Sequence, residues 1–274
     1  MKIVSIDNKP IDTFLYKNVG GRNNLNPDGS LKIVESRLPI QKGVFKCNNA
    51  LISTLIVASD LQGNVENEDS TALIGEHLAS YLGMLLELEF NIKPKTVGVV
   101  LAGDLYATLD KRGGCGDVRK VWFSFRDTFK WVVGVNGNHD QIGENETEAM
   151  QFQLEPNIYL LHKQSVEIDK IKISGISGVI GNNQKPNRVD ENEYLAALKK
   201  MLANKPEFSI LHETPDYPKD KFEGNEKIRK VIVKSPKNLV ICGHKFWNEP
   251  LRVLKNGSQI LNANARVIIL TKQG

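Results

Sequence analysis

Gly137-Asn138-His139-Asp140 places an amide, an imidazole and a carboxylate at the end of the apolar run 131–135, which reads as a strand. Strand ends are where an α/β sheet carries its chemistry. Taken alone, the tetrapeptide is equally well a polar turn after a buried strand, because Gly-Asn pairs are ordinary turn formers. Its weight comes from four other apolar runs that end in the same manner.

Residues 55–59 lead into Asp60-Leu61-Gln62-Gly63-Asn64, 97–102 into Gly103-Asp104, 208–211 into His212, and 239–242 into Gly243-His244. In a mostly parallel sheet such ends converge on one edge, however far apart they lie in the chain. Carboxylate, amide oxygen and neutral imidazole together suit manganese, iron or zinc. They are not the thiolate set of a structural zinc site.

In this order the motifs resemble those of the calcineurin-like metallophosphoesterase family. That series is Asp-x-His, Gly-Asp, Gly-Asn-His-Asp/Glu, a lone His, and Gly-His-x-His. This chain reads Asp60-x-Gln62, Gly103-Asp104, Gly137-Asn138-His139-Asp140, His212 and Gly243-His244-x-Phe246, over residues 54–274. The resemblance implies an α/β fold of two mixed β-sheets packed face to face with helices outside, a four-layer sandwich. It also implies a complete metal site in which Asp104 bridges and Asn138, His212 and His244 are the remaining ligands.

A first site would keep Asp60 and Asp104 but have Gln62 in place of a histidine and Phe246 in place of another. Gln62 can offer its amide oxygen to a hard cation, whereas Phe246 offers nothing. One firmly held divalent metal is therefore expected, manganese first with iron or zinc as alternatives, beside a site that is weak or empty. By the same resemblance, His139 stabilises the transferred phosphoryl group or protonates the leaving oxygen, and Asp140 orients its ring.

The implied reaction is metal-dependent hydrolysis of a phosphomonoester or small phosphodiester, with a cation-activated water attacking phosphorus. A competing reading is a non-catalytic scaffold or binding protein on the same fold, with a protein partner. Gln62 and Phe246 favour it, since both departures fall on one site. His139 and the set Asp104, Asn138, His212 and His244 favour the enzyme, because polar groups cost free energy to bury. A nuclease would need a basic track that the sequence does not display.

The whole chain sets wider bounds. Its 274 residues, 41% hydrophobic and 25% charged, suffice for one large domain with a real core. A net charge of +4 suits a small phosphorylated substrate. Both signs are interspersed without a dense Lys/Arg block, which argues against a nucleic-acid partner. Cys47, Cys115 and Cys242 form no Cys-x-x-Cys pair and fit a reducing, cytoplasmic interior. No apolar run approaches the roughly 20 residues that span a bilayer, and the N-terminus lacks a leader pattern, so no membrane association is expected.

Residues 1–53 precede the first motif and read as an N-terminal addition to the single domain 1–274, either extra strands or a lid. Strands are expected at 1–6 and 31–34, with breaks at Gly20-Gly21, Asn23-Asn24 and Pro27-Asp28-Gly29. Leucine spacing predicts a helix over 69–88, and further helices are expected over 118–129, 191–202 and 226–233. Lys111 and Arg112, in the glycine-bearing loop after Asp104, are candidates to bind a substrate phosphate. Alternation over 166–176 predicts strands of a second sheet, turning at Asp169-Lys170.

Overall fold

The computed structural model describes residues 1–21, 24–67 and 70–274. In chain order the first strands are β1 (Lys2–Ile6), β2 (Asp12–Val19), β3 (Ile33–Lys46), β4 (Thr54–Ser59), β5 (Asn64–Asn67) and β6 (Ser70–Leu73). Helix α1 (Ile74–Phe90), β7 (Gly98–Leu101), β8 (Gly116–Asp117), α2 (Arg119–Thr128), β9 (Trp131–Gly134) and β10 (Asp140–Gln141) follow. Next come α3 (Glu146–Gln153), β11 (Ile158–Leu160), β12 (Gln164–Ile168), β13 (Ile171–Ile176), β14 (Val179–Ile180) and β15 (Arg188–Val189). The chain closes with α4 (Glu191–Ala203), β16 (Phe208–Leu211), α5 (Glu226–Lys234), β17 (Leu239–Cys242), β18 (Leu251–Val253), β19 (Gln259–Asn262) and β20 (Arg266–Lys272).

Two mixed sheets dominate. The larger has the order β11-β9-β7-β4-β20-β3-β2-β5-β6, with β1 on β3, and the smaller has the order β12-β13-β16-β17-β19-β18. β4, β7, β9, β16 and β17 are buried along their whole length. That is the reason they read as continuous apolar runs and do not alternate. Leu55, Val57, Val100 and Val133 of the larger sheet pack with Ile173, Phe208, Ile210 and Ile241 of the smaller in one core. On the outer face of the larger sheet, Ile56 and Val99 meet Leu78, Leu82 and Trp122 from α1 and α2. Outside the smaller sheet, Val240 and Ile260 meet Tyr194, Leu198, Ile228 and Ile232 from α4 and α5. The order helix, sheet, sheet, helix is the expected sandwich.

Local chemistry sets the boundaries. α1 starts later than the leucine spacing predicts because Ser70–Leu73 is taken by the hairpin with β5. The Glu76 carboxylate then accepts the Leu73 N–H at 3.0 Å, and Asn91 ends the helix in the left-handed region at φ 52°. Asp69, where the spacing places the helix start, and Asn23, in one predicted break, lie outside the described residues. Asp169 and Lys170 take φ 49° and 60° between β12 and β13, the positive pair that a two-residue hairpin needs.

The N-terminal residues supply three strands. β3 pairs in parallel with β20 over Val267↔Ile40 to Lys272↔Phe45 and antiparallel with β2. β2, over 12–19, was not expected from the sequence, because its apolar and polar residues follow no clean period. None of the described helices is long and apolar enough to cross a membrane.

Candidate metal centre

Five strands deliver the candidate residues. Asp60 follows β4, Asp104 follows β7, Asn138 and His139 follow β9, His212 follows β16, and His244 follows β17. β4, β7 and β9 are adjacent and parallel in one sheet, and β16 and β17 are adjacent and parallel in the other. Their C-terminal ends therefore meet at one rim of the sandwich.

The backbone is strained where candidate residues leave their strands. Asp60 and Asp104 both have φ 53°, and His244 has φ 65°. Non-glycine residues seldom enter this region, and such strain concentrates at functional sites. Gly103 has φ 90°, and a Cβ there would stand 2.5 Å from the Gly137 nitrogen and 2.8 Å from His212 Nδ1. A Cβ on Gly137 would collide with the Asp104 carboxylate. The two motif glycines are thus demanded by loops that approach too closely for any side chain.

Asp104 is the centre of the group and only 3% exposed. Its Oδ1 accepts the His139 backbone N–H at 2.9 Å. Its Oδ2 faces Gln62 Nε2 at 3.2 Å, His212 Nε2 at 3.3 Å and His139 Nε2 at 4.0 Å. One ligand atom each from Asp104, His212 and His244 lie within 4.8 Å of one another. The two imidazoles meet edge to face with centroids 5.1 Å apart.

His212 Nδ1 donates to the Ala102 carbonyl at 2.8 Å, which leaves Nε2 as the nitrogen that faces the cluster. That Nε2 is close to Asp104 but not aligned as a hydrogen bond. Together with Asn138 Oδ1, it is buried without a hydrogen-bond partner. An unsatisfied buried polar atom costs roughly 1–3 kcal/mol. A divalent cation among Asp104, Asn138, His212 and His244 would engage both orphaned atoms, and the carboxylate, amide and imidazole donors suit manganese, iron or zinc. The residues fit such an ion.

Electrostatics follow the same arrangement. Burial alone would raise Asp104, but the neighbouring charges of His212 and then His139, with the His139 backbone N–H, outweigh it and hold the carboxyl at about 2. Burial raises Asp60 to about 7 against the attraction of His212, with Asp104 adding to the rise. Burial also works against a charged His212, yet Asp104 and Asp60 push that ring up to about 10. His244 is lowered to about 4 by burial and then by His212, and so stays a neutral imidazole.

Several expected roles change. Asp140 does not orient His139. Its Oδ1 accepts the Leu105 and Tyr106 N–H groups at 2.7 and 3.2 Å, and its Oδ2 accepts that of Gly137 at 2.8 Å, so it locks the two loops together. The His139 ring is instead held by Nδ1 donating to the Gly114 carbonyl at 2.9 Å. Arg112 donates from both Nε and Nη2 to the Gly20 carbonyl while still lining, with Lys111, the cavity beside the cluster. Gln62 places its amide NH2 against Asp104, and Phe246 is 60% exposed with the Arg266 guanidinium 4.9 Å from its ring centroid.

Lys111, Gln62, Tyr106 and His139 line a cavity of about 230 Å³ beside the cluster, with Asn18 and Val19 from the end of β2 completing its wall. The N-terminal residues thus reach the site through a strand end, with Arg112 fastening the contact. The sequence pointed to the loop after Asp104 only through Lys111 and Arg112. Nothing in the sequence indicated that the Gly114 carbonyl would hold His139, or that Asn18 and Val19 would be its neighbours.

No protein-family model matches the chain, and no curated protein does. Among solved structures, it is similar to a protein of unknown function from Aquifex aeolicus, with 16% identity, coverage of 79% of this chain and 95% of that one, and a TM-score of 0.33. A likeness of that degree bears on neither fold nor activity.

Proposed function

We propose that the chain is a metal-dependent phosphoesterase of the calcineurin-like type that hydrolyses a phosphomonoester or small phosphodiester. The observation that carries this reading is the clustering of one ligand atom each from Asp104, His212 and His244, with His212 Nε2, and Asn138 Oδ1 on the neighbouring loop, buried without hydrogen-bond partners. Asp104, Asn138, His212 and His244 would hold one divalent ion, manganese first among the candidates, and Asp60 with Gln62 would leave a weak or empty second position. When bound, the ion supplies charge neutralisation for a phosphoryl group and acidifies water.

The remaining tasks belong to this chain's own residues. His139, with Nδ1–H fixed on the Gly114 carbonyl, directs Nε2 towards the cluster, where it can hold a proton and pass it to a leaving oxygen. Lys111, on the wall of the adjoining cavity, brings a positive charge to an anionic ester. Asp140 keeps the two ligand-bearing loops in register through its three backbone bonds. A small phosphorylated substrate and a cytoplasmic setting go with this reading.

A non-catalytic binding protein is the second reading, favoured by the Gln62 amide against Asp104 and by the outward Phe246. Hydrolysis of phenyl phosphate and bis(p-nitrophenyl) phosphate separates the two. The expected result is turnover that needs added manganese, stops on chelation, and falls about 100-fold or more in His139→Ala while the metal is retained. Absence of hydrolysis of both esters by the manganese-loaded protein would favour the binding protein.

A further inference from the structure

A second cavity, of about 380 Å³, is lined by residues flanking the Gly137-Asn138-His139-Asp140 turn, Asn136 before it and Ile142 after it. Asn136 immediately precedes that turn, and the side chain of Asn187 donates to the Asp140 carbonyl, so two of its lining residues are tied to the ligand-bearing loop. Its walls include Ile142 and Leu160, while Arg188 brings a positive charge. Lys163, also in the lining, is engaged by Glu193 at 2.5 Å.

Two buried atoms of this lining have no hydrogen-bond partner. One is Arg188 Nη1, a cationic donor, and the other is Asn136 Oδ1, an acceptor. The Asn136 backbone is meanwhile fixed, its N–H donating to Ser177 Oγ at 3.0 Å and its carbonyl accepting from Gly178. A ligand that satisfied both atoms would present a negatively charged acceptor to Arg188 and a hydroxyl or amino donor to Asn136, with its carbon skeleton against the apolar walls.

We infer that this cavity is a subsite for the organic part of the substrate, and that Arg188 and Asn136 select an ester whose alcohol carries a second anionic group beside a hydroxyl. The inference rests on the proposed phosphoesterase reading for the identity of the cleaved bond. The subsite itself is a claim about binding. It assigns Arg188 to specificity, apart from the residues that hold the metal or move the proton.

The test compares 3-phosphoglycerate, which has a carboxylate and a hydroxyl, with phenyl phosphate, which has neither, on the manganese-loaded wild type and on Arg188→Gln, Arg188→Lys and Asn136→Ala. In R188Q, KM for 3-phosphoglycerate should rise at least tenfold, while KM and kcat for phenyl phosphate stay within about twofold. R188K should recover part of the loss, and N136A should weaken 3-phosphoglycerate selectively. Equal losses on both esters, or no change on either, would overturn the assignment. If the wild type hydrolyses neither ester, the phosphoesterase reading fails and calorimetric titration with 3-phosphoglycerate decides the subsite. Binding weakened tenfold by R188Q would uphold it, and no binding to the wild type would overturn it.

Discussion

Asp104→Asn and His244→Ala are each expected to weaken manganese binding by about 100-fold or more, since even partners that merely orient a ligand contribute 10–100-fold. Asp104 faces His212 at 3.3 Å and gives its other oxygen to the His139 backbone, so the amide of Asn would remove the charge while keeping the shape. His244→Ala would remove one of two imidazoles from strand ends too firmly packed to bring a substitute. Equilibrium dialysis followed by elemental analysis reads the effect, with circular dichroism confirming that each variant is folded. Wild-type affinity in both variants would refute the ligand assignment.

The second large effect is a pH-dependent stability that the metal reverses. His212 binds its proton more tightly in the folded chain, at about 10, than at the ordinary 6.5. The stability this contributes is complete below pH 6.5 and is lost as pH rises towards 10. Asp60, raised to about 7, has the same sign, but its contribution is lost at lower pH. His244, lowered to about 4, has the opposite sign and gains stability as pH rises from 4 to 6.5. Above pH 7 the His212 contribution dominates: the buried Cys242 thiol, raised above its ordinary 9.0, adds the same sign near the top of the interval, and the Met1 amino group, lowered from 8.0 by burial, opposes it near pH 8. The metal-free protein should lose roughly 5–10 °C in melting temperature between pH 7 and 9.5, corresponding to a few kcal/mol. A divalent ion replaces the proton, so the stabilisation by manganese should grow over the same interval. Melting curves with chelator and with manganese at several pH values test this, and a pH-independent manganese shift would contradict it.

The strand ends were legible because each joins an apolar run to a polar group. A strand buried on both faces has no alternation to obscure that junction, so Asp60, Asp104, Asn138, His212 and His244 can be assigned to strand ends from the sequence. The glycines before Asp104 and Asn138 were legible as motif residues, but their cause, two loops in near contact, is tertiary. Asp140 was misread for a similar reason. Its position beside His139 suggests a contact with that ring, whereas the carboxylate turns to the N–H groups of Leu105 and Tyr106, 35 residues away in sequence for the first. Arg188 carried no signal at all. It lies in the short strand β15, with no motif around it, and becomes visible only when its unpartnered nitrogen is found in the lining of the cavity that Asn136 shares. The β3–β20 pairing was equally hidden, because it joins the start of the chain to its end.

The central claim is that Asp104, Asn138, His212 and His244 form one firm metal site while Asp60 and Gln62 do not form a second. The most direct measurement is the metal content of wild-type protein saturated with manganese and then desalted. Close to one ion per chain should remain, and Gln62→Ala should retain the same amount. Two tightly held ions per chain would show that the first site is also functional, and a chain that retained none would contradict the metal centre itself.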